Sequence, residues 1–220
     1  MPFGFLKRNK AGETVADAGQ GSSAATLRAG SARGVPFTAL TEDWRLHGRM
    51  QISGRLSDAL NKRDAIAITD VTWGPPDAAG ALEPAPGLKS VDPYDLILVT
   101  AGEDSLPPLT DSERAALKVH KVGYDVALEL PPFRVIGTVY LHPGSEPDRL
   151  LDRSSEMFVP VVEGIAKLGD VTVNDPEIEV ILVNRFYLRG VTQVDKRTGE
   201  PHVKLPGSPL GGTSWQDRAR

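Results

Sequence analysis

The chain contains no cysteine. Disulfides, thiolate metal sites and cysteine nucleophiles are therefore excluded, and the composition best fits a cytoplasmic location, where disulfides are rare. It also lacks any run of about 18 apolar residues, so no segment is expected to span a membrane as a helix. The first ten residues place Lys7, Arg8 and Lys10 after a short apolar patch, the reverse of a secretory signal, so export by that route is not expected. No Gly-x-Ser-x-Gly turn, phosphate-binding loop or dinucleotide fingerprint is present. The histidines, His47, His120, His142 and His202, stand at no metal-ligand spacing from one another. The sequence accordingly assigns no catalytic, cofactor-binding or metal residue.

What is present suffices for a globular protein: 220 residues, 40% hydrophobic and 25% charged, enough for one or two cores. The net charge of −4 is unevenly spread, with residues 1–34 carrying +3 and residues 195–220 carrying +2, which leaves −9 for the centre. An acidic centre is poorly suited to neutralising phosphates, which disfavours nucleic acid as a partner. Residues 11–34 are mostly Gly, Ala, Ser and Thr with isolated charges, so residues 1–34 read as a flexible arm. The Pro- and Gly-rich residues 195–220 read as a flexible tail, with Trp215 the one residue there suited to docking.

Between the tails the sequence repeats itself. Trp44–Ile52 aligns without a gap on Phe133–Leu141, matching Arg45 with Arg134 and Gly48 with Gly137. Arg55-Leu56-Ser57-Asp58 then matches Arg149-Leu150-Leu151-Asp152, Ile66–Asp70 matches Val159–Glu163, and Asp92–Val99 matches Asp175–Val183. Collinear blocks with insertions confined to Gly/Pro-rich stretches indicate duplication of a unit of roughly 65 residues. Alternating segments at Val126–Leu130 and Phe133–Leu141, split by Pro131-Pro132, read as a hairpin in which Gly137 marks a bulge or close backbone approach. Leu56 and Leu60, four apart, with Asn61 closing, indicate a single helical turn.

The expected fold is all-β with minor α: two tandem small SH3-like or Sm-like barrels, each with a short helical turn, at 35–100 and 122–194. Residues 101–121 would be a linker with a short helix from Thr110 or Asp111 to about Lys118, and Gly74–Gly87 an exposed loop. Trp44, Phe133, Tyr140, Phe158 and Phe186 fall at strand positions expected to be mostly core.

The run Arg55-Leu56-Ser57-Asp58-Ala59-Leu60-Asn61, with Ile68-Thr69-Asp70 after it, resembles an uncharacterised family of small bacterial β domains that carries an R-L-S-D-x-L-N core. The second copy keeps Arg149-Leu150-Leu151-Asp152 but lacks the Leu-Asn ending. The resemblance supports the β fold and implies no activity.

Two groups of residues stand out. Arg55 with Asp58, and Arg149 with Asp152, are spaced to form a local brace on a helical turn; the same carboxylates with Asp70 and Glu163 would be the acidic site of an enzyme acting between the copies. Phe3, Phe5, Leu6, Lys7, Arg8 and Lys10 combine apolar and cationic side chains, suited to docking on a protein partner or to weak peripheral contact with an anionic membrane. The favoured expectation is a non-catalytic interaction or scaffold module, with a protein partner or self-association and no cofactor. The rivals are a nucleic-acid-binding Sm-like protein and an enzyme with a site between the copies.

Overall fold

The computed structural model describes residues 33–201 except 78–79, 103–104, 106–119, 154–155, 176, 178–179 and 196. The expected linker helix, the Phe3–Lys10 segment and Trp215 lie outside the described residues.

Alternating apolar residues form β1 (Arg33–Leu40) and β2 (Arg45–Ile52), paired antiparallel around the Thr41–Trp44 turn. α1 (Leu56–Asn61) buries Leu56, Ala59 and Leu60. Then come β3 (Ile66–Gly74), β4 (Glu83–Pro84), β5 (Ser90–Val91), a 3-10 turn at Pro93–Asp95 and β6 (Leu98–Ala101). β7 (Val122–Leu130) and β8 (Phe133–Leu141) form the expected hairpin, followed by a 3-10 turn at Pro147–Leu151 where the first half has α1. β9 (Phe158–Leu168), β10 (Val171–Thr172), β11 (Val180–Asn184) and β12 (Gly190–Gln193) complete the chain.

All pairings are antiparallel and join 12 strands in one sheet, along the path β12-β7-β8-β9-β11-β6-β1-β2-β3-β4. The path ends on β12 and β4, so the sheet is open. β5 pairs β3 beyond the end of β4, which makes the neighbour order β6-β1-β2-β3-β5 in the first half. The second half has β12-β7-β8-β9-β11, the same order of first to last strand. By place in the sheet β6, beside β1, corresponds to β12, beside β7, whereas the sequence blocks align β6 with β11. Each of β6 and β11 is the apolar run after an Asp-Pro pair, and sequence alone does not say which neighbour such a run takes.

Gly74–Gly87 is not simply a loop. Glu83 and Pro84 return to pair with Trp73 and Thr72, and the Ala85 N–H donates to the Val71 carbonyl at 2.8 Å. Prolines on both sides of Ala85 disguise this edge strand; it needs the Ala85 donor and tolerates prolines beside it. Residues at the start of the expected tail carry strand-like bonds. Val194 bridges to Pro201, and the Asp195 N–H donates to the Glu200 carbonyl at 2.9 Å.

One device occurs in both halves. The β2–β3 register shifts between His47 and Arg49, and the β8–β9 register between Ile136 and Thr138, so Gly48 and Gly137 each oppose an extra residue. The bulged residues Asp70 (φ 54°) and Glu163 (φ 49°) are both left-handed. A Cβ on Gly137 would lie 2.6 Å from Val161 Cγ1 and 2.9 Å from the Gly164 Cα; on Gly48 the nearest atom would be the Thr69 carbonyl at 3.0 Å. Close approach across the bulge therefore requires glycine in the preceding strand.

Two apolar clusters fill the fold, and each takes residues from both halves. Phe37, Met50, Leu56, Leu60, Ile68 and Val99 pack with Met157, Phe158 and Leu182. Leu40, Ile97 and Leu98 pack with Phe133, Val135, Val161, Ile181 and Val183. β6 and β11 pair through Val180–Val183 against Leu98–Ala101 and supply side chains to both clusters. Their unbroken apolar runs reflect burial on both faces. No helix among the described residues is long and apolar enough to cross a membrane.

Candidate functional site

Two asparagines link the halves, Asn61 from α1 to β9 and Asn184 from the end of β11 to the turn before β6, while Arg185 closes a turn within the second half. Asn61, the last residue of the R-L-S-D-x-L-N run, donates from Nδ2 to the Phe158 carbonyl at 3.2 Å and accepts from the Phe158 N–H at 2.7 Å. Its amide thus behaves as one more rung of β-ladder from α1 to β9. Asn184, wholly buried, donates to the carbonyls of Pro93 (3.3 Å) and Leu96 (2.7 Å) and accepts from the Phe186 N–H (3.0 Å). Arg185 donates to the carbonyls of Leu150, Arg149 and Glu156 at 2.7, 2.6 and 3.3 Å, closing the Pro147–Leu151 turn. Burial pulls the Arg185 guanidinium below its ordinary pKa, while Asp152 and Glu156 act in the opposite direction. Replacing Asn61 with Ala should cost about 1–3 kcal/mol, since two Phe158 backbone groups lose their partner; urea unfolding of the full chain measures it.

On this framework stand two stacked aromatic pairs. Tyr94 and Phe186 lie with ring centroids 5.7 Å apart and planes 4° apart, and the guanidinium carbons of Arg63 and Arg153 lie 5.5 and 6.0 Å from the Phe186 centroid. Arg63 adopts φ 64°, a left-handed conformation that is costly for a long side chain. The Tyr187 hydroxyl donates to the Tyr94 carbonyl at 3.1 Å; burial, then Glu42 and Asp95, raise its pKa. The second pair is Trp44 and Trp73, 4.6 Å apart with an interplanar angle of 20° and exposures of 44% and 37%.

Of the aromatics expected in the core, Phe133 and Phe158 are buried, but Trp44 and Tyr140 are exposed and Phe186 is half-buried. Trp44 precedes β2 and belongs to the turn; Tyr140 falls on the outward phase of β8.

No ion pair joins Arg55 to Asp58. Arg55 holds the N-cap position of α1 in extended conformation without a side-chain capping bond, and Asp58 is exposed. In the second half, Arg149 and Asp152 are linked through the backbone, the Asp152 N–H donating to the Arg149 carbonyl at 3.0 Å. Asp70 and Glu163 occupy equivalent bulges on β3 and β9, with β2, β1, β6 and β11 between them in the sheet. The structure does not bring them together along the sheet. Among the described residues, no group of three or more His, Asp or Glu could hold a metal ion.

The halves differ beside their bulges. A groove of about 570 Å³ opens between β3 and residues 84–89, lined by Ile68, Asp70, Val71, Pro86, Leu88 and Lys89 among others. Beside the other bulge, buried Asn174 bonds the Gly164 carbonyl at 3.1 Å and the Ala166 N–H at 2.7 Å.

His47 packs rather than binds. Its Nε2 accepts from Arg45 Nε at 3.0 Å, which leaves Nδ1 to donate to Thr38 Oγ1 at 2.9 Å. Burial first, then the Arg45 charge, lower its pKa below 6.5. A depressed histidine favours the neutral folded form, so its contribution is complete above the unfolded value of about 6.5 and is lost as pH falls through the lower folded value. Thermal melts from pH 7.5 to 5 should show a loss of stability that His47→Gln flattens.

No family model matches this chain, and no curated protein or solved structure does.

Proposed function

We propose that the chain is a non-catalytic interaction module made of two fused copies of an SH3-like or Sm-like β unit. The shared strand order and the paired bulges at Asp70 and Glu163 support duplication. The R-L-S-D-x-L-N run, which resembles an uncharacterised family of small bacterial β domains, ends in this chain on Asn61, whose amide holds the Phe158 backbone. The observation that carries the interaction role is the pair of aromatic stacks, with Trp44, Trp73 and Tyr94 exposed and Phe186 half-buried, on strand ends and turns. Exposed aromatic clusters give binding surfaces most of their contact energy at low entropic cost. The cytoplasm is the compartment assigned, and the arm with Phe3, Phe5, Leu6, Lys7, Arg8 and Lys10 serves as a tether.

The test is affinity capture from the protein's own cell extract with tagged full-length chain, beside Trp44→Ser and Tyr94→Ser variants of matched thermal stability. A partner held by the parent chain and lost from the variants supports the reading. Recovery indifferent to both substitutions overturns it. Arg63 and Arg153 over Phe186 favour a second reading, stacking of single-stranded nucleic acid. Salt-sensitive oligonucleotide binding that is abolished by Arg63→Gln would establish that one instead.

A further inference from the structure

The Trp44–Trp73 stack is a different kind of surface from the Tyr94–Phe186 stack. At the latter, Phe186 already has two guanidinium groups near its ring. Over the indoles of Trp44 and Trp73, the better ring type for holding a cation, no cation lies among the described residues. Arg45, the cation nearest in sequence to Trp44, is engaged with His47 through its Nε.

Carboxylates neighbour both indoles, in sequence at Trp44 and in strand register at Trp73. Glu42 and Asp43 are exposed at the tip of the turn that ends on Trp44, and that turn is fixed by the Thr41 N–H on the Trp44 carbonyl (2.9 Å) and the Trp44 N–H on Thr41 Oγ1 (3.0 Å). Exposed Glu83 is the direct cross-strand partner of Trp73. Exposed π faces rimmed by unlike-charge partners for lysine and arginine, on a fixed turn, select for cations and against anions.

We infer that the Trp44–Trp73 stack with Glu42, Asp43 and Glu83 is a docking surface for a basic peptide segment, whose lysine or arginine side chains cover the indole faces while the carboxylates pair with their charge. The inference rests on the interaction-module reading and deepens it by fixing the chemistry of the partner. The chain's own Phe3–Lys10 segment has that chemistry, with Lys7, Arg8 and Lys10 behind Phe3, Phe5 and Leu6.

The experiment uses the full-length chain bearing Lys7→Gln, Arg8→Gln and Lys10→Gln, so that its own arm does not compete. The probe is a fluorescent synthetic peptide of residues 3–12, read by anisotropy and by indole fluorescence. Saturable binding is expected, weakened roughly tenfold by Glu42→Gln with Asp43→Asn and Glu83→Gln, and weakened similarly by a rise from low to physiological salt. Trp73→Leu, which keeps an apolar side chain at the position, is expected to lose most of the affinity as well. A peptide with its basic residues replaced by glutamine that binds equally well overturns the inference, as does unchanged binding by the charge-neutralised triple variant or by Trp73→Leu. No binding of the basic peptide at all also overturns it. In that last case, partner capture that still depends on Trp44 and Tyr94 leaves the module reading standing, so the two failures are distinguishable.

Discussion

Gly137→Ala should destabilise the chain by about 3 kcal/mol or more, and Gly48→Ala by about 1 kcal/mol, in matched urea titrations. The same substitution is made opposite the same kind of bulge, and the difference lies in what the methyl meets. At Gly137 it would approach Val161 Cγ1 at 2.6 Å, the Gly164 Cα at 2.9 Å and the Val162 carbonyl at 3.0 Å, so two of the three obstacles are backbone. At Gly48 the contacts are the Thr69 carbonyl at 3.0 Å and the side chains of Phe37 and Val71 at 3.3 Å, which can give by a few tenths of an ångström. Adding Val161→Ala to Gly137→Ala should therefore restore little stability. Full rescue would show that the β8–β9 spacing is set by one side chain rather than by the bulge.

Asn184→Leu should cost about 3–5 kcal/mol. The side chain is wholly buried and serves two carbonyls and an N–H, linking the end of β11 to the turn that leads into β6. Leucine matches the volume but leaves the Pro93 carbonyl, the Leu96 carbonyl and the Phe186 N–H without their side-chain partner in an apolar setting, at about 1–3 kcal/mol for each group that finds no substitute. Asn184→Asp separates the contributions: it keeps the acceptor for Phe186 but places a carboxylate against two carbonyl oxygens. The aspartate variant should be the less stable at pH 8 and gain on acidification, checked by thermal melts over pH 4 to 8. Equal stability across that range would remove the hydrogen-bonding account of Asn184.

The sequence makes plain the parts of this fold that depend on period and local sterics. Phe133–Leu141 alternates as a strand with one buried face must and pairs with Val122–Leu130 in the expected hairpin, and a glycine within a strand points to close approach, which Gly137 shows. The turn at Leu56–Asn61 follows from the spacing of Leu56 and Leu60. Pairing between distant residues is another matter. Asn61 reads as a turn-closing residue, and nothing local reveals that its amide bonds Phe158, 97 positions away. Asn184 and Arg185 look like ordinary polar residues after a strand, because a buried polar side chain differs from an exposed one only in what surrounds it. The aromatic surface was hidden for a related reason: Trp44 lies one residue outside β2, and that single step moves it from a strand position to a turn. Gly74–Gly87 was hidden by its prolines, whose usual meaning is a break in the ladder.

The exchange of side chains across β6 and β11 has a consequence for how this molecule comes apart. Leu182 and Phe158 complete the cluster under β1–β3, while Leu40 and Leu98 complete the cluster under β7–β9, so neither half possesses its own interior. Melting one half strips apolar cover from the other, and the two should be lost in a single cooperative transition rather than in sequence. Covalent continuity between the halves is then secondary to their shared interior. A backbone cut at 106–119 should yield two fragments that remain associated through β6 and β11, and that denature together when either is unfolded.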